Sequence, residues 1–169
     1  MITTKSRLIR LGLLATVLLL LLAGCGRSFS SLEPISAPVT DTVVAGTMQY
    51  LVRLEEGPLY NFTMKVPAEW VGKVNTRNSG NVVHFEYLDE SGPAIPLFSI
   101  EALSEEQLWK QEGGYPAYRS SILNTVDTYF VYHLPIDAYY SGVSEERYAE
   151  LVAGVPALMP SFTATLAQQ

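Results

Sequence analysis

Residues Tyr60-Asn61-Phe62-Thr63-Met64-Lys65-Val66 alternate apolar and polar side chains without a break. A strand turns successive side chains to opposite faces. This period of two therefore puts Tyr60, Phe62, Met64 and Val66 on a core face and Asn61, Thr63 and Lys65 toward water. The pattern predicts a half-buried strand over 59–66, of the kind found in antiparallel sheets with one face covered. Asn61-Phe62-Thr63 also matches a glycosylation sequon, but outward polar residues of a strand account for the same three positions.

Downstream, Pro67 ends the strand because it has no amide to donate, and Trp70 is placed to cover the edge of the core. Stretches 71–77 and 82–88 flank Asn78-Ser79-Gly80-Asn81, whose residues tolerate positive φ, so an antiparallel hairpin is expected. A second turn cluster at 89–93 precedes a strand over 96–103 with Phe98, Ile100 and Ala102 on one face. Ser104-Glu105-Glu106-Gln107 reads as a capping box opening a short helix that carries Leu108 and Trp109 and ends at Gly113-Gly114. Another antiparallel pair is expected over 118–124 and 128–134. Its second member is apolar on both faces, as a central strand would be. Ser144 caps a last helix, along which Tyr148, Leu151, Val152, Val155, Leu158 and Met159 recur at helical spacing. Gly154 and Pro156 weaken its later turns, Pro160 stops it, and 161–165 can add an edge strand. Upstream, 47–54 reads as a first strand, and Gly57-Pro58 as the turn after it. Hairpin strands, a helix, two more strands and a terminal helix make an α+β fold: an antiparallel sheet with helices packed on it.

The most informative stretch for location is Leu22-Ala23-Gly24-Cys25. Lys5, Arg7 and Arg10 precede a leucine-rich run from Leu11 to Leu22, and small residues lead into the chain's single cysteine. This is the layout of an exported, cleaved segment. It resembles the bacterial lipoprotein signal, which implies that the Cys25 thiol is diacylated, that the mature chain begins at Cys25, and that the new amino terminus can be acylated in turn. An uncleaved anchor ranks second, since the run is shorter than the roughly 20 residues a span needs and gives no reason for the small pair before cysteine. The expected organisation is a signal peptide over 1–24, a lipidated Ser/Thr/Pro-rich tether over 25–45 that lifts the domain off the membrane, and one globular domain over 46–169.

A second resemblance rests on Tyr60-Asn61-Phe62 through Val66-Pro67-Ala68-Glu69-Trp70, on Leu97-Phe98-Ser99-Ile100, on Trp109 and on the stretch 129–135. Together these look like bacterial lipoproteins of the PsbP-like fold, over roughly 59–162. The resemblance implies a PsbP-like sandwich and a binding or assembly role; it carries over no catalytic residue.

Composition narrows the partners. The chain holds 11 Lys and Arg against 17 Asp and Glu. Removing the signal takes three cations with it and leaves a formal charge of 8 − 17 = −9. Cations scattered singly along an acidic chain argue against nucleic acid, and the acidity leaves the acyl group as the expected bilayer contact. With Cys25 acylated no internal disulfide is possible, so the fold stands on its core.

The inventory for catalysis is small. His84 and His133 are the only histidines, each on an expected strand. His84 and Glu86 share a strand face and Asp137 follows His133, so a metal site assembles only if the two histidine strands are neighbours in register. No nucleophile elbow, phosphate loop or dinucleotide fingerprint occurs, and Glu105-Glu106 and Glu145-Glu146 read as first-turn helix charges. The expectation is a non-catalytic, membrane-tethered binding or assembly module in the cell envelope, without a cofactor or metal, contacting the bilayer through Cys25 and an envelope protein through a tyrosine-rich loop. The alternative is a small envelope hydrolase or metal-binding protein using His84 and His133. Tyr115, Tyr118, Tyr129, Tyr139 and Tyr140 crowd the C-terminal half. Adjacent Tyr139 and Tyr140, in the loop 135–142 with Asp137, cannot both enter one core, so that loop is the candidate contact site.

Overall fold

The 59–66 alternation becomes a strand buried on one face and exposed on the other, Tyr60–Lys65, in the computed structural model, which describes residues 35–52, 55–88, 94–112, 119–135 and 143–168. In chain order the strands are β1 (Ile35–Pro38), β2 (Val43–Met48), β3 (Leu51–Val52), β4 (Glu55–Glu56), β5 (Tyr60–Lys65), β6 (Val74–Asn78), β7 (Val82–Tyr87), β8 (Ile95–Leu103), β9 (Arg119–Asn124), β10 (Tyr129–His133) and β11 (Thr163–Leu166). Helix α1 (Glu105–Glu112) follows β8, and α2 (Glu145–Ala153) and α3 (Val155–Leu158) follow β10.

Two antiparallel sheets form, one of six strands in the order β1-β6-β7-β8-β10-β9 and one of three in the order β11-β5-β2; β3 and β4 make a separate ribbon. The sequence reading of an antiparallel α+β fold with packed helices is thus borne out, with the strands shared between two sheets. Their inner faces meet in one aromatic core. Phe85 stacks on Phe98 at 4.3 Å, Tyr60 meets Phe130 edge-on at 5.3 Å, and Phe162 lies against both Phe130 and Phe62. Burying each such ring contributes roughly 1.5–3 kcal/mol, and the Tyr60–Phe130 and Phe62–Phe162–Phe130 contacts are the ones that join the two sheets. Trp70, in a single 3-10 turn after Pro67, closes the core edge against Phe98.

Local chemistry explains the boundaries. Gly80 takes φ +91° at the β6–β7 turn, a conformation side chains resist. The capping box forms reciprocally: the Ser104 amide donates to Gln107 Oε1 at 2.9 Å and the Gln107 amide to Ser104 Oγ at 3.2 Å. Ser144 Oγ accepts from the Arg147 amide and starts α2. Gly154 interrupts the helical run before α3, and Pro160 lies in the 3-10 turn that ends it. Tyr148, Leu151, Val155 and Met159 are buried, as their spacing predicts.

One expectation is corrected. Composition predicts a tether through residue 45 and a first strand from 47. Instead β1 pairs with β6 from Ile35↔Asn78 to Pro38↔Asn75, β2 pairs with β5 from Val43↔Lys65 to Met48↔Tyr60, and Val39 and Val44 are core residues. Prolines and isolated valines suit an edge strand as well as a linker, because a strand paired on one side needs only half its amides and one apolar residue in two. Ten positions, not twenty-two, therefore separate Cys25 from the first strand of the described residues.

The ladders also fix which loops share an end. The β6–β7 turn, the β9–β10 turn, the start of β1 and the end of β8 lie at one end of the large sheet. The Gln49 amide donates to the Gly80 carbonyl at 3.1 Å, and Tyr60 Oη and Thr125 Oγ1 are hydrogen-bonded at 2.9 Å, which brings the end of β2 and the start of β5 to the same end. The opposite end carries the end of β7, the starts of β8 and β9, the end of β10 and the turn at Trp70.

Candidate functional site

Residues directly opposite one another in antiparallel ladders share a sheet face. Because Phe85, Phe98, Ile100 and Phe130 point into the core, their neighbours His84, Ser99, Glu101 and His133 belong to the outer face. The register aligns them further: Ser36↔Arg77, Arg77↔His84, His84↔Ser99, His133↔Ser99 and His133↔Arg119 make one row across all six strands. The histidine strands are not neighbours, as the metal reading required. They flank β8 from either side, and both histidines stand opposite Ser99, which puts their Cα atoms roughly 9–10 Å apart, twice the spacing between paired strands.

The row is laced by side-chain hydrogen bonds. His133 Nε2 lies 2.9 Å from Glu101 Oε2, whose other oxygen is 3.5 Å from Asn81 Nδ2. Arg77 Nε donates to Glu86 Oε1 at 3.0 Å. Arg119 Nη2 reaches the Leu108 carbonyl, so α1 is fastened to the sheet near the β9 side of the row. Burial pushes the His84 imidazole below its ordinary value and the Arg77 guanidinium pushes the same way, against smaller opposing pushes from Glu86 and Glu101 and a small further lowering by His133. His84 is therefore neutral near pH 7, able to donate from one ring nitrogen and accept at the other.

Chemically, the face offers a carboxylate-oriented imidazole and a neutral one on either side of a small hydroxyl. A serine nucleophile would need its hydroxyl hydrogen-bonded to a ring nitrogen, and no such bond joins Ser99 to either histidine among the described residues. Nor do three His, Cys, Asp or Glu side chains converge to hold a metal ion among the described residues. A cavity of about 230 Å³ beside β1 is lined by residues 37–41, 43–45 and 76; its one ionisable group, Asp41, is engaged by the Thr42 amide and hydroxyl.

The other residues singled out in the sequence, Cys25, Asp137, Tyr139 and Tyr140, lie outside the described residues, as do Tyr115 and Tyr118. Tyr129 is half-buried on β10. Sequence reasoning missed Arg77, Ser99, Glu101 and Arg119. Ser99 and Glu101 carried a signal, since they interrupt an apolar strand at a spacing of two; the arginines carried none without the register.

No family model, no curated protein and no solved structure matches this chain.

Proposed function

We propose that this chain is a bacterial envelope lipoprotein, held outside the cytoplasm by acyl chains on Cys25, whose folded part is a non-catalytic binding or assembly module. The observation that carries this reading is the Leu22-Ala23-Gly24-Cys25 stretch behind a cationic and apolar leader. Two acyl chains at about 0.8 kcal/mol per buried methylene make release from a bilayer negligible, so the sandwich works at a membrane surface. The likeness to PsbP-like lipoproteins, which rests on sequence motifs, supports the same class.

The partner surface in this reading is the loop 135–142. Its strand, β10, ends at the edge of the domain opposite the start of β1, where the tether enters, so a partner can approach that end without meeting the membrane. Photocrosslinking groups at Tyr139 and Tyr140, in cells, should capture one discrete envelope protein, and Tyr139→Ala or Tyr140→Ala should weaken that capture at unchanged stability. Capture that is unaffected in both variants, with the domain intact, removes the loop from the reading.

The alternative, a metal-binding protein or small hydrolase on the outer sheet face, has in its support the shared register of His84 and His133 opposite Ser99, without a metal-ligand cluster among the described residues. Zinc titration of the purified domain separates the two. Stoichiometric binding lost in both His84→Ala and His133→Ala supports the second reading, and its absence supports the first.

A further inference from the structure

Among the described residues four large hydrophobic side chains are exposed, and the two most exposed share one end, while Val43, 47 % exposed opposite Lys65, stands at the other. Val126 is 95 % exposed at the β9–β10 turn and Leu166 is 63 % exposed at the end of β11. Leu166 pairs with Tyr60, whose hydroxyl bonds Thr125, the residue before Val126. Both therefore stand at the end of the sandwich that also holds Ile35, the first residue of β1. Trp109 is exposed as well, but α1 is held at Leu108 by Arg119, in the histidine row, so it is not counted with that end.

From this juxtaposition we infer that the end of the domain bearing Val126 and Leu166 rests on the bilayer, so that the protein stands end-on with β1 rising from the membrane surface. The inference rests on the lipoprotein reading, and it adds a second lipid contact to the acyl chains. Ten residues lead from Cys25 to Ile35, so the domain is confined to within about 33–36 Å of the headgroups even at full extension. The opposite end lies a further ~30 Å away along the nine residues of β8, close to the whole span of that connection. The end entered by the chain therefore meets the surface with the least extension of that connection, and it carries the two most exposed apolar side chains, Val126 and Leu166. Asp127 sits beside Val126, so the favoured surface is zwitterionic and not anionic. Apolar side chains in such contacts enter the headgroup boundary by about 5–10 Å.

The test uses the full lipidated protein in phosphatidylcholine vesicles. With Cys25 acylated, a cysteine introduced by Val126→Cys, Leu166→Cys or Glu69→Cys is the only free thiol and takes an environment-sensitive fluorophore. Glu69, exposed in the turn before Trp70, reports the opposite end. All three sites are surface positions that the fold tolerates. Co-flotation with vesicles, with the labels at 126 and 166 blue-shifted and quenched severalfold more by headgroup-level nitroxide lipids than the label at 69, supports the inference. Co-flotation with equal quenching at all three sites, or most at 69, overturns it and leaves the lipoprotein reading standing. Labels at 126 and 166 shielded from aqueous iodide but untouched by nitroxide lipid assign that end to a protein contact, which also overturns it. Failure to float sinks the lipoprotein reading, and the inference with it.

Discussion

Cutting the chain at residue 46, where a tether read from composition would end, should cripple a domain that a cut at residue 35 leaves intact. The shorter fragment loses β1, Val39 and the first half of β2. Val39 is 3 % exposed and Val44 8 % exposed, and each buried valine contributes roughly 1.5–3 kcal/mol. The two together are worth about 3–6 kcal/mol before the ladders are counted. Four residue pairs to β6 and the first three pairs to β5 go as well, which strips β6 into a bare edge. A domain of this size has about 5–15 kcal/mol in total, so the loss takes roughly a fifth of it at the least. Urea unfolding of 35–169 and 46–169, followed by circular dichroism, measures the difference. The shorter fragment should melt at a much lower urea concentration or be unfolded without denaturant, and Val39→Ala in the longer one should cost about 1–3 kcal/mol. Equal midpoints and slopes for the two fragments would refute the assignment of residues 35–45 to the folded core.

Other consequences can be checked with point variants. Gly80→Ala forces a side chain into φ +91° and should cost about 1–2 kcal/mol of stability, read by the same unfolding, even though the added methyl meets nothing. Ser144→Ala removes the acceptor for the Arg147 amide and should cost about 1 kcal/mol. Because His84 is held below its ordinary value near 6.5, the unfolded chain binds its proton more readily. Its contribution is full above that value and is lost as pH falls through the folded-state value, so the melting temperature should drop with acidification below about pH 6.5. In His84→Gln that part of the pH dependence should vanish; an unchanged profile would remove His84 as its source.

How far the sequence could be read depended on whether local chemistry or long-range pairing decided the outcome. The 59–66 alternation, the 78–81 hairpin, the Ser104–Gln107 box and the Ser144 cap are legible because each is set by residues within a few positions of one another. The division into two sheets was not, since it depends on β2 and β11 both choosing β5, and the β11 pairing joins residues about a hundred positions apart. The same limit hid β1, whose partner among the described residues lies about forty positions away. The histidine row shows the effect at the site. Period-two alternation gives the face of His84 and His133, but only the ladders on both sides of β8 set them opposite the same serine.

The central claim is that the mature protein starts at an acylated Cys25, and intact-mass and amino-terminal peptide spectrometry of the protein extracted from its native membrane tests it most directly. The expected result is an amino-terminal peptide beginning at Cys25 with the mass of a diacylglyceryl group, with or without a further amide-linked chain, and loss of that species in Cys25→Ser. A chain retaining Met1, or one in which Cys25 carries a free thiol, would contradict it.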